Sequence, residues 1–114
     1  ILYGADKAKI KATQTEIAMK QNEYSDYSTQ LAANYEALVS DLMTYKNGVD
    51  YYNNFGEALF SETMQNANLA FTAGEIDYLN YTMLLDHANA IKLNYLQNTF
   101  FYNLTMIEAN YIQH

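Results

Sequence analysis

The side chains able to do chemistry are few. Met83 and His87 stand four residues apart, a spacing that puts both on one face of a helix. A thioether beside an imidazole is a soft-metal donor pair suited to copper or silver. Two donors rarely complete a site, so the pair is a weak metal candidate. The competing reading makes Met83 a gap-filler and His87 a surface residue beside Asp86. Glu75 and Asp77 form a small acidic group beside Gly74, suited to docking a partner or attracting cations. The plainer reading of Asp77 is a helix cap. Ser25, Ser28, Asp86 and His87 supply the groups of a hydrolytic triad but no nucleophile motif. The chain is therefore expected not to be an enzyme and to need no cofactor. Asn80-Tyr81-Thr82 and Asn103-Leu104-Thr105 match the glycosylation pattern but lie in apolar helical stretches, where chance explains them better.

Composition narrows the classes further. Half of the 114 residues are apolar, too many for a disordered chain. There is no Cys, which removes disulfides, thiolate metal sites and a cysteine nucleophile. Six basic residues against 13 acidic ones, with no basic run, argue against nucleic acid and anionic membrane surfaces as partners. Lys7, Lys9, Lys11 and Lys20 form a small cluster whose default is a solvated face. No apolar run approaches the roughly 18 residues of a membrane-crossing helix, and Ile1-Leu2-Tyr3-Gly4 does not read as a leader. The chain reads as a piece of something larger.

The elements that position these residues are helical. There is no Pro, and only four Gly interrupt a sequence rich in Ala, Leu, Met, Glu, Gln and Lys. An apolar row repeats every seven residues: Ile10, Ile17, Tyr24, Leu31, Leu38, Tyr45, Tyr52, Leu59. Its companion row is Gln14, Gln21, Ser28, Tyr35, Leu42, Val49, Gly56 and Thr63, apolar only in the middle. This is a coiled-coil seam with one strong row. The row keeps step across Gly48 and Gly56, which predicts one long helix over 5–73. The alternative takes Asn47-Gly48 as a true turn and gives a three-helix bundle. Gly74 suits a left-handed helix end and Asp77 the next N-cap, so 74–77 is a tip turn. A returning helix over 78–112 carries two apolar rows. Leu79, Met83, Ala90, Leu93, Phe100, Leu104, Ile107 and Tyr111 form one; Leu84, Ala88, Ile91, Tyr95, Tyr102, Ala109 and Ile112 form the other. A helix apolar on two faces needs neighbours on two sides. The fold class is all-α, a long antiparallel coiled-coil hairpin.

Ala67-Asn68-Leu69-Ala70-Phe71-Thr72-Ala73-Gly74-Glu75-Ile76-Asp77-Tyr78-Leu79, followed by Lys92-Leu93-Asn94-Tyr95-Leu96-Gln97, resembles the outer membrane factor (TolC) family. The likeness is to the C-terminal repeat hairpin of members serving Cus/Czc-type heavy-metal efflux. Leu2-Tyr3-Gly4-Ala5-Asp6-Lys7-Ala8-Lys9-Ile10-Lys11-Ala12 is similar to the passage from a barrel strand into the long helix, which makes 1–4 a remnant of barrel strand or linker. The resemblance implies a trimeric outer-membrane channel continued by a periplasmic helical barrel, with the tip facing an adaptor protein and an inner-membrane pump. The implied tip residues are Phe71, Gly74, Glu75 and Asp77. The implied compartment is the periplasm and outer membrane of a Gram-negative bacterium, with membrane contact only through the parent barrel. Ile76, Asn80 and Met83 stand where the family's namesake has the charged residues of its entrance, so that ionic lock does not carry over. Asn22, Asn34, Asn47, Asn54 and Asn68 are candidates for a wet face. A stand-alone helical module that binds a protein partner is the alternative function.

Overall fold

A computed structural model describes residues 2–113, with side chains placed from 4 to 112. Every described element is helical: α1 (Leu2–Tyr51), a π-helical turn (Tyr52–Gly56), α2 (Glu57–Thr72) and α3 (Tyr78–Gln113). The all-α hairpin expected from the sequence is present, with three corrections. First, helix begins at Leu2, three residues before the expected start at residue 5; Ile1 and His114 lie outside the described residues. Second, Asn47-Gly48 lies inside α1, which removes the three-helix bundle. Third, the long helix is interrupted by the π turn.

The chain divides into two units, residues 1–37 and 38–114. In the first, every residue from Gly4 to Asn34 is exposed. Ile10, Ile17, Tyr24 and Leu31 therefore form an exposed apolar row on α1. Thr13, Thr15 and Thr29 turn their hydroxyls back onto carbonyls four residues earlier. Such bonds satisfy the side chain locally and add no tertiary contact.

The second unit is the hairpin. The end of α1, the π turn and α2 form one arm, and α3 returns antiparallel along it. Leu38, Leu42, Tyr45, Val49 and Tyr52 are at least half-buried, as the seven-residue pattern requires. Tyr45 stacks on Phe101 with centroids 5.6 Å apart, and Tyr52 stacks on Tyr95 at 4.1 Å. Such pairs add about 0.5–1.5 kcal/mol each beyond the area they bury. Gly48 is explained by its partner, because a Cβ there would overlap the Asn98 amide. Small residues fill the tightest positions: Ala67 is 1% exposed and Ala88 0%. Gly56 is buried too, where a Cβ would lie 3.4 Å from Ile91 Cγ2.

Leu59 departs from the pattern. It is 46% exposed, and Phe60 takes the seam place beneath Lys92, whose ammonium lies 5.2 Å from the Phe60 ring centre. The π turn causes the slip. The Glu57 N–H donates to the Tyr52 carbonyl, a five-residue closure that holds one residue more than an α turn. Inward positions thus run Tyr52, Gly56, Phe60, Thr63, Met64 and Ala67. A plain α-helix would have continued through Leu59 and Asn66 in place of Phe60 and Ala67.

Candidate functional site: the hairpin tip and the outer face of α3

The tip is built from backbone hydrogen bonds. The Glu75 N–H donates to the Ala70 carbonyl (2.9 Å) and the Gly74 N–H to the Phe71 carbonyl (3.0 Å). This pair of bonds is the Schellman ending of a helix. It requires a left-handed residue, and Gly74 supplies it at φ +76°. Three residues on, the Asp77 carboxylate accepts from the Asn80 N–H at 2.8 Å, while the Tyr81 N–H closes the first turn of α3 on the Asp77 carbonyl. Asp77 is therefore the N-cap that its place in the sequence suggested. Glu75 is exposed and lies between the two caps.

Phe71 meets a partner that the sequence did not single out. Its ring stacks on Tyr81 with centroids 4.4 Å apart and planes 14° off parallel, and it meets Tyr78 at 6.3 Å. The Tyr81 hydroxyl donates to Asn68 Oδ1 at 2.6 Å. Tyr81 thus ties α2 to α3 through its face and its tip together. The clue was available: with Asp77 as N-cap, Tyr81 begins the second turn of α3, within reach of the last turn of α2. Phe71, Gly74 and Asp77 are brought together in one turn.

The other candidates are not assembled. Met83 and His87 are both exposed on α3, off the seam. Among the described residues no three His, Cys, Asp or Glu side chains are placed to hold a metal ion. Ser25 and Ser28 belong to the first unit and Asp86 and His87 to the second. Among the described residues no helix is long and apolar enough to cross a membrane.

The larger feature is the outer face of α3. Ala88, Ile91, Tyr95, Tyr102, Ala109 and Ile112 are the inward row, packed toward the first arm. The row beginning at Leu79 and Met83 and ending at Ile107 and Tyr111 is exposed along its whole length, up to 84% at Tyr111. The expected two-faced helix is present, with one face covered and one bare.

No family model matches the chain, and no curated protein and no solved structure is similar to it. The hairpin offers a capped turn, three stacked aromatic rungs and a bare apolar helix face.

Proposed function

We propose that this chain is a wall segment of the periplasmic helical barrel of a trimeric outer-membrane efflux channel. In this reading it acts with an inner-membrane pump and a periplasmic adaptor to export metal ions or small toxic compounds. The chain contributes by assembly and gating, without catalysis and without a cofactor, and its surroundings are the periplasm and outer membrane of a Gram-negative bacterium. The observation that carries the reading is α3, apolar on two opposed faces of which only one is covered by the chain's own first arm. A helix in a barrel wall is flanked on both sides and needs both faces. The tip supports it as well: rigid backbone caps present Glu75 and the Phe71–Tyr78 edge outward, where an adaptor would dock.

The test is a photo-crosslinking amino acid placed at Glu75 of the intact parent protein in its native cells. The expected product joins the tip to a periplasmic adaptor that co-purifies with its pump, and deletion of the parent raises sensitivity to the exported compounds. Crosslinking only to proteins outside the envelope overturns the reading and leaves the alternative, a stand-alone helical interaction module.

A further inference from the structure

We propose that the outer face of α3 is a second coiled-coil seam whose occupant is the same face of a second copy of this chain, running antiparallel about a two-fold axis near Tyr95. The inference competes with the channel reading, which gives this same face to a neighbouring wall helix.

The spacing is the first argument. From Leu79 the outward positions step by four and three in unbroken alternation to Tyr111, through Met83, Asp86, Ala90, Leu93, Gln97, Phe100, Leu104 and Ile107. That is the heptad pattern sustained over 33 residues, and eight of its ten positions are apolar. At about 1.5 Å per residue the seam is roughly 48 Å long. The inner row of α3 is offset from it by about half a turn, so both seams can be filled at once.

Charge and size select the occupant. The positions flanking the outer seam are almost free of charge: Asn80, Asn89, Asn94, Asn103 and Asn110 dominate, and Glu108 is the one acidic residue among them. A copy of the same face therefore meets no like charge at its flanks. In the antiparallel register that fills every layer, Ala90 faces the copy's Phe100, small against large. Leu79 faces Tyr111, Met83 faces Ile107 and Leu93 faces Gln97. At the flanks Asn80 reaches Glu108 and Asn89 reaches Asn103, each a donor with an acceptor. Leu96 meets Leu96 of the copy beside the axis. A parallel pairing would instead set Asp86 against Asp86, which like-charge repulsion disfavours. Two-fold pairs of this kind are the commonest closed assemblies, because one patch serves both partners.

The absence of Cys makes the test free of background. Single variants Leu96→Cys, Leu79→Cys and Tyr111→Cys of the whole chain are treated with a short bis-maleimide. Leu96→Cys is expected to link to itself. Leu79→Cys and Tyr111→Cys are each expected to stay unlinked alone and to link when mixed. Self-linking of Leu79→Cys, which marks a parallel pair, overturns the proposal. So does a chain that sediments as a monomer up to about 1 mM, the weak end of specific affinity, or as a trimer. Leu93→Glu should weaken the dimer at least about 100-fold with helical content unchanged by circular dichroism, and Asp86→Leu should tighten it about tenfold. Equal dimerisation by all three proteins overturns the proposal. Loss of the adaptor crosslink described above would leave these outcomes untouched.

Discussion

Gly74 is the one described residue with positive φ, and a Cβ built there meets nothing within 4 Å. The cost of Gly74→Ala is therefore purely that of the backbone. Chemical unfolding should show a loss of about 1–2 kcal/mol, and Gly74→Asn should lose less, since Asn tolerates this conformation. Asp77→Ala removes the acceptor of the Asn80 N–H, and the expected loss is about 1 kcal/mol. Gly48 is a different case: its φ is ordinary, and the obstacle is the Asn98 side chain. Gly48→Ala combines a helix-propensity gain of about 1 kcal/mol with displacement of that amide. In an Asn98→Ala background the obstacle is gone, and Gly48→Ala should stabilise by about 1 kcal/mol. A double-mutant cycle in which Gly48→Ala has the same effect with and without Asn98 would disprove the contact.

At the scale of elements, the π turn decides which residues of α2 face α3. The turn holds one extra residue over Tyr52–Gly56, so the inward step from Gly56 to Phe60 is four residues in place of three. Deleting Glu57 should let the turn relax to an α-helix while Gly56, Phe60, Met64 and Ala67 all stay inward. The thermal midpoint should hold or rise. Deleting Asn54 also removes one residue but swings Glu57 into the crowded place of Gly56, where burial of an unpaired carboxylate is costly. That variant should melt well below the parent, and equal midpoints for the two deletions would refute this account of the turn. The same turn marks the limit of what was legible beforehand. The hairpin, the tip at Gly74, the cap at Asp77 and the two faces of α3 follow from apolar spacing and turn chemistry that any reader of the sequence can apply. The exposure of Leu59 did not follow, because the heptad keeps step through it. Only packing reveals that Phe60 and Ala67 make a better inner face than Leu59 and Asn66. The Phe71–Tyr81–Asn68 cluster was missed for a related reason: it depends on the angle at which two helices leave one turn, and local spacing does not encode that angle. The sequence likewise extends the seam through Ile10, Ile17, Tyr24 and Leu31 but does not say whether a partner follows it.

For the molecule as a whole, stability is expected to be distributed unevenly between its two units. The second unit holds three aromatic rungs, buried Ala67 and Ala88, and two capped helix ends. From Gly4 to Asn34 the helix is exposed throughout, and its described hydroxyl bonds return to its own carbonyls. A helix without a covered face relies on propensity alone, which is marginal in water. Ser25, Tyr27, Ser28 and Asn34 lower that propensity further. Hydrogen exchange on the purified chain should resolve the difference. Amides 8–32 should exchange within about tenfold of an unstructured peptide, an opening free energy near 1 kcal/mol. Amides of α2 and of residues 85–105 in α3 should be protected by orders of magnitude, because they open only when the hairpin does. Equal protection in both segments would mean that the row from Ile10 to Leu31 is covered in solution. Repeating the measurement with Leu93→Glu separates the sources of that cover. If protection of 8–32 persists in the variant, the cover does not come from the α3 dimer, and a further helix must lie on that row.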